Sequence, residues 1–275
     1  MDYFEYTVTG FAEYEAEIVM AQLAELGFES FSETPDGFLG YIREDVCDAD
    51  VIRDFLDHLH SSQRIRYKAE KIISRNWNAI WESQYEPVTV DGKCRIRAPF
   101  HDLIPGFLYD LVIEPKMSFG TAHHETTALM IHYLMEENLT GKKVLDMGCG
   151  TGVLAILAYK MGAADVVALD NDDWAYANAC DNILTNNSAS ITVIQGEATN
   201  IPPLHFNLIV ANINRNVLLH DIPVYANHLA ENGILLMSGC FEEDLPYLQP
   251  VCETAGLRYV NHTIKNNWMG VKFIR

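Results

Sequence analysis

The first 73 or so residues switch repeatedly between a period of two and a period near 3.6. Tyr3-Phe4-Glu5-Tyr6-Thr7-Val8 alternates as a half-buried strand does, and Tyr14 to Leu26 places Ile18, Val19, Leu23 and Leu26 at helical spacing before Gly27. A glycine there is a natural helix stop. Phe28 to Glu33 reads as a strand, Thr34-Pro35-Asp36-Gly37 as a turn, and Phe38 to Arg43 as the returning strand of a hairpin. Asp48 to Leu59 is a second amphipathic helix, carried by Val51, Ile52, Phe55, Leu56 and Leu59, and Arg64 to Ile73 a last alternating strand. The order β-α-β-β-α-β predicts a small α+β domain of the ferredoxin-like kind over residues 1–73.

Residues 74–87 read as a connector. Asn76 to Tyr85 looks like a helix bearing Trp77 and Trp81, stopped before Pro87. No Gly/Ser-rich tether interrupts it, so the spacing predicts a stiff arm rather than a random chain. From 88 to 275 strands alternate with helices: Lys143 to Met147, Val153 to Met161, Asp165 to Asp170, Trp174 to Thr185, Ile191 to Gln195 and Phe206 to Ala211, with more strand at Gly233 to Ser238 and Arg258 to Ile274. Repeated βα units predict a doubly wound, mostly parallel α/β sheet. Ligands of such sheets lie beyond the carboxyl ends of the strands.

Composition narrows the function. The 275 residues carry 19 Lys+Arg against 38 Asp+Glu, a net charge of −19. So acidic a chain repels phosphate backbones, which argues against nucleic acid as partner and leaves a basic protein easy to accommodate. The opening Met1-Asp2-Tyr3-Phe4-Glu5 lacks a basic leader, and no apolar run reaches the length of a membrane span. The six cysteines form no C-x-x-C pair, which suits a reducing cytoplasm and no zinc site. The adjacent His123 and His124 point apart on most backbones and read as ordinary loop histidines rather than metal ligands.

Candidate chemistry centres on Asp146-Met147-Gly148-Cys149-Gly150-Thr151-Gly152, a glycine loop placed after one strand and before a helix. Glycines let backbone approach a ligand closely, and the helix offers free N–H groups. Asp170 ends the next strand, where a carboxylate accepts both hydroxyls of a ribose. Nicotinamide dinucleotides and S-adenosylmethionine both use this layout. The dinucleotide fingerprint is G-x-G-x-x-G; this loop is G-x-G-x-G with an acid two residues before it, which resembles the first motif of class I methyltransferases.

The likeness sharpens at Met117-Ser118-Phe119-Gly120-Thr121-Ala122-His123-His124-Glu125-Thr126-Thr127, at Val210-Ala211-Asn212-Ile213, and at Asn266-Asn267-Trp268-Met269-Gly270-Val271. Together these segments resemble the PrmA family, the methyltransferases of large-subunit ribosomal protein eleven, over nearly the whole chain. Ala122, where that family often has glycine, is a departure, and His123-His124-Glu125 falls in a variable stretch. The resemblance implies a Rossmann-like class I methyltransferase sheet with a small substrate-recognition domain ahead of it, S-adenosylmethionine as methyl donor, and cofactor contacts at Thr127, Gly148, Asp170 and Asn212. Thr126 and Gly150 belong beside them, and Glu197 with Ala198 falls where such folds meet the adenine edge. The implied substrates are lysine ε-amines and the N-terminal α-amine of that ribosomal protein, free or on the ribosome, carried to trimethylation. Methyltransferases of planar amides and base nitrogens resemble one another in an Asn/Asp-Pro-Pro-aromatic motif after the fourth strand. Here the sequence is Asn212-Ile213-Asn214-Arg215, without prolines or ring. A flexible alkyl amine needs no such clamp, and Asn212 becomes the candidate for positioning it. The segment Ser118 to Thr127 reads either as a flap over the cofactor or as a fixed helix entry. Methylation of another protein or a small amine, and a nicotinamide-dependent oxidoreductase, remain the alternatives.

Overall fold

A computed structural model describes residues 2–10, 13–62, 65–72, 85–115 and 124–275. The chain divides into two compact units, Met1–Gln84 and Tyr85–Arg275. The connector helix expected at Asn76 to Tyr85, with Trp77 and Trp81, lies almost wholly outside the described residues, as does the segment Met117 to His123.

In the first unit β1 (Tyr3–Thr9), α1 (Glu13–Glu25), β2 (Phe28–Thr34), β3 (Gly37–Arg43), α2 (Ala49–Ser62) and β4 (Arg66–Ile72) follow the order expected from the pattern. The sheet runs β2-β3-β1-β4, and the pairings of β1 with β3 and β4 and of β2 with β3 are all antiparallel. Alternation along β1 and β3 sends Tyr6, Val8, Phe38 and Ile42 inward, where Val19 and Leu23 of α1 and Ile52 and Leu56 of α2 complete one apolar core. Burying each such side chain contributes roughly 1.5–3 kcal/mol, which is what lets so short a unit hold together.

The second unit opens with a feature the hydrophobic pattern does not announce. β5 (Val88–Val90), β6 (Cys94–Arg97) and β7 (Tyr109–Val112) form a separate three-stranded sheet. Strands of three or four residues are too short to show a period, yet Val90, Cys94, Ile96 and Leu111 all enter the core. The main sheet has seven strands in the order β10-β9-β8-β11-β12-β14-β13. These are β8 (Lys143–Met147), β9 (Asp165–Asp170), β10 (Thr192–Gln195), β11 (Phe206–Asn212), β12 (Leu229–Phe241), β13 (Arg258–Lys265) and β14 (Trp268–Ile274). β8 to β12 are parallel, and β14 runs antiparallel to both β12 and β13, so the sheet closes on a hairpin. The chain moves outward from β8 through β9 to β10, then returns to lay β11 on the other side of β8. That reversal opens a crevice at the carboxyl ends of β8 and β11.

Helices α3 (Glu125–Met135), α4 (Val153–Lys160) and α5 (Asp173–Thr185) cover one face; α6 (Arg215–His228) and α7 (Leu245–Thr254) cover the other. Period-two alternation distributes the strands between them: Val144, Val166 and Val210 face the first set, Leu145, Val167 and Ala211 the second. α6 and α7 carry Pro223 and Pro250 in their interiors, residues that read as helix breakers, and tertiary packing overrides that preference.

A line of asparagines on α5 ties β7 to the glycine loop. Asn186 Oδ1 accepts from the Val112 N–H at 3.0 Å and its Nδ2 donates to the Val112 carbonyl at 2.6 Å, as a neighbouring strand would. One turn earlier Asn182 accepts from the Glu114 N–H at 2.9 Å and donates to the Thr151 carbonyl at 3.0 Å. Asn186→Ala strands both Val112 backbone groups in a partly buried site and should cost about 1–2 kcal/mol. Urea unfolding is expected to show a lower midpoint at unchanged slope; an unchanged midpoint would contradict this role.

Candidate functional site

The loop after β8 is shaped by three left-handed glycines, Gly148 at φ 68°, Gly150 at 53° and Gly152 at 77°. The N–H groups of Gly148 and Cys149 both donate to the Leu169 carbonyl, at 2.8 and 3.1 Å, which ties the loop to the end of β9. Gly152 caps α4 with no side chain over the first turn. A Cβ on Gly148 would stand 2.2 Å from Ile213 Cγ2, so the Ile213 side chain of the turn after β11 fills the space a side chain on the loop would need. Gly239, at φ 84°, repeats the device from β12: its Cβ would lie 2.3 Å from the Ile213 carbonyl oxygen.

Asp170 closes this cradle. Its Oδ2 accepts from the Gly150 N–H at 2.8 Å and its Oδ1 from the Asp172 N–H at 3.1 Å. A carboxylate oxygen has two acceptor sites, so each keeps one lone pair for a ligand hydroxyl. Opposite, Asn212 ends β11. Its Nδ2 donates to Thr127 Oγ1 at 3.3 Å, while its Oδ1 is buried and has no partner. A buried amide oxygen left unpaired in a cleft wall is costly, and it marks where a ligand donor belongs.

These groups converge on one cleft of ≈ 930 Å³. Thr126, Gly148, Gly150, Asp170, Glu197 and Asn212 line it, together with His124, Ile213, Gly239 and Trp268 at the β11–β12 end. Thr127, 1 % exposed, does not line the cleft; it stands behind Asn212 and fixes that amide. Thr126 and Thr127 are not part of a flexible flap but sit in the first turn of α3, which His124 caps by accepting from the Thr126 N–H. The Thr126 hydroxyl pairs with the same ring nitrogen at 2.8 Å. Glu197 caps the 3-10 turn Ala198–Asn200 reciprocally with Asn200. Trp268 closes the end wall, edge-on to His124 with centroids 4.7 Å apart and backed by Phe241 at 4.2 Å. Sequence reasoning singled out neither Gly239 nor the α6 residues Val217, His220 and Asp221; a lone glycine and a proline-bearing stretch gave no signal.

Charge in the cleft is one-sided. Asp170, Asp172, Glu197 and Asp221 line it, and among the described residues no Lys or Arg does. The cleft therefore attracts cations and repels a pyrophosphate. The residues fit a sulfonium nucleoside: backbone bare enough for close contact, a carboxylate for the ribose, and an orphan acceptor at the reacting end.

Comparison with known proteins gives the family. Residues 17–275 match the family model described as ribosomal protein L11 methyltransferase (PrmA). The chain belongs to that family. It is 40 % identical over 279 residues to the ribosomal protein L11 methyltransferase of Phocaeicola vulgatus, covering 100 % of this chain and 99 % of the relative. With that of Porphyromonas gingivalis it shares 42 % over 261 residues, 94 % and 90 % of the two chains. Among solved structures, the ribosomal protein L11 methylase of Lactobacillus delbrueckii subsp. bulgaricus superposes with a TM-score of 0.66 at 28 % identity, over 70 % of this chain and 99 % of that one. The seven-stranded sheet is thus the Rossmann-like sheet of a class I methyltransferase.

One buried acid supports the cradle from below. Asp146, at the end of β8, accepts from the Ala155 N–H of α4 at 2.9 Å, and its other oxygen is unpaired. Complete burial pushes its carboxyl up to about 7. The unfolded carboxyl releases its proton near 3.8, whereas the folded one holds it to about 7. Its contribution to stability is full below the unfolded value and is lost as pH rises through the folded one. Stability of the wild type should fall across that interval relative to Asp146→Asn, by up to about 1.4 kcal/mol per pH unit. Parallel stability–pH curves for the two proteins would refute this.

Proposed function

We propose that this protein is an S-adenosylmethionine-dependent methyltransferase of ribosomal protein L11 that methylates lysine ε-amines and the N-terminal α-amine, to the trimethyl state. The observation that carries the reading is the unpaired Asn212 Oδ1 beside the glycine cradle, held in its orientation by Thr127. S-adenosylmethionine supplies an electrophilic methyl group on a sulfonium. Methyl transfer is an in-line displacement, so the chain's main task is to align the acceptor and exclude water.

Gly148, Gly150 and Asp170 hold the nucleoside, and Thr126 serves its amino-acid end. In the first two transfers Asn212 Oδ1 accepts one N–H of the incoming amine and so turns the nitrogen lone pair toward the donor; the tertiary amine of the third has no N–H and is oriented by the apolar wall alone. Thr127 takes the opposite side of the same amide, which prevents it from flipping its own N–H groups toward the amine. A lysine is protonated in water, and presenting it neutral near pH 7.5 costs roughly 4 kcal/mol. The acidic lining attracts the ammonium into the cleft, and the wall of Ile213, Trp268 and His124 then favours the neutral form. The proton leaves to water before the acceptor seats.

A second class of acceptor is disfavoured by the same cleft. No proline pair or ring follows Asn212, so a planar base or amide has no stacking clamp, and the acidic lining repels nucleic-acid phosphates as it does a dinucleotide. Another protein or a small amine would meet the same chemistry; the family membership favours the ribosomal protein. Residues 1–73 grip the substrate and 74–87 link them to the 88–275 methyltransferase domain. The enzyme works in the cytoplasm, on the ribosomal protein either free or ribosome-bound.

Incubating the ribosomal protein with enzyme and S-adenosylmethionine, then mapping methylated residues by mass spectrometry, should locate methyl groups on lysines and the α-amine. Asn212→Ala should lower turnover about a hundredfold while changing cofactor affinity far less. Equal losses in both would refute its positioning role, and an unmodified ribosomal protein would refute the substrate.

A further inference from the structure

α5 has one face that packing uses and one that it leaves open. Ala175, Asn178, Ala179, Asn182 and Ile183 are buried on the side that meets β9 and β10. Trp174, Ala177, Asp181 and Leu184 follow one another at steps of three or four residues, the spacing of a single helical face, and all are exposed. Trp174 is 79 % exposed and Leu184 65 %. From the one to the other the stripe runs about 15 Å along the helix. A single apolar residue in water is ordinary, but a tryptophan and a leucine on one stripe of a firmly packed helix form a contact surface.

Charge decides what covers it. Between Lys160 and Arg215 the chain holds no lysine or arginine, while it carries Asp165, Asp170, Asp172, Asp173, Asp181 and Glu197. That stretch builds β9, α5 and β10, the whole β10 flank of the main sheet. Lys160 itself donates to the Asn186 carbonyl at 3.2 Å, past the far end of α5. On the stripe, Asp173 adjoins Trp174, and Asp181 stands between Ala177 and Leu184. A second copy of a chain with net charge −19 would bring like charges together on this flank, and a phosphate backbone is repelled in the same way. A lysine- or arginine-rich polypeptide suits both parts of the surface. Its cations lie over the indole face and beside the carboxylates, and its aliphatic stems cover Ala177 and Leu184.

The surface adjoins the cleft without belonging to it. Asp172 caps α5 and also lines the cleft, whereas Trp174, two residues on, does not. β9, β8 and β11 are successive neighbours in the sheet, so the ends of β9 and β11 lie about 10 Å apart. A domain-sized partner, roughly 30 Å across, overhangs the first turn of α5 when it delivers an amine to Asn212.

We propose that the Trp174–Leu184 face of α5 docks a basic segment of the polypeptide substrate, a grip on the methyltransferase unit itself in addition to that of residues 1–73. The proposal rests on the protein-amine reading of the cleft.

Steady-state methylation of the ribosomal protein at saturating S-adenosylmethionine tests it. Trp174→Ala should raise KM for the protein substrate about tenfold, and Asp181→Lys by a similar factor, with kcat and the affinity for S-adenosylhomocysteine unchanged. Trp174→Phe, which keeps a ring for the cation, should recover most of the loss. Circular dichroism checks that these surface variants are folded. An unchanged KM in either Trp174→Ala or Asp181→Lys, or a fall in cofactor affinity as large as the rise in KM, would overturn the docking surface. So would a wild type that sediments as a dimer beside a monomeric Trp174→Ala, since a second copy would then cover the face. A wild type that binds S-adenosylhomocysteine yet leaves the ribosomal protein unmethylated would remove the substrate reading and this surface with it, a result distinct from an unchanged KM in an active enzyme.

Discussion

No Cβ fits at Gly148, where the glycine loop after β8 meets the Ile213 side chain of the turn after β11. Two adjacent parallel strands end there, and their connections must part to opposite faces of the sheet. The loop takes its shape from left-handed glycines, from the Leu169 carbonyl that accepts two of its N–H groups, and from the Asp170 carboxylate that accepts a third. Asp170 therefore both builds the cradle and is the group that a ribose would meet in it. Beneath, Asp146 holds the first turn of α4 against the same loop at the cost of burying an acid.

From this constraint the cleft inherits its polarity. Strand ends supply Asp170 and Asn212, the turn after β10 supplies Glu197, and α6 supplies Asp221, without a basic residue among the described residues that line it. A cationic donor and a cationic acceptor suit that field better than any phosphate does. On the proposed amine substrate the same field would oppose deprotonation of the acceptor, which would leave the apolar wall at Trp268 and Ile213 and the orphan oxygen of Asn212 to present it neutral.

Much of this was legible in the residues, for physical reasons that differ by element. β1, β3, α1 and α2 announce themselves because each has one wet and one dry face, and the period survives in the sequence; β4 alternates in sequence yet is exposed along nearly its whole length. The glycine loop is legible because its spacing, an acid before it and Asp170 after it occur together. α3 is buried on nearly every side, so its pattern has no period, and Thr126 and Thr127 read as loop although they open a helix. α6 hides behind Pro223, and with it went His220 and Asp221, which only the folded helix brings to the cleft. The fold sets the Thr127 hydroxyl on Asn212, a contact 85 residues apart in sequence that no local pattern encodes.

The central claim is that a sulfonium nucleoside seats on the glycine cradle with its sugar hydroxyls on Asp170. Isothermal titration of S-adenosylhomocysteine against the wild type and Asp170→Ala, with circular dichroism confirming that both are folded, measures this directly. The account predicts saturable binding by the wild type and a loss of at least about a hundredfold in the variant, two charge-assisted hydrogen bonds being removed. Equal affinity in the two proteins, or no binding by the folded wild type, would contradict it.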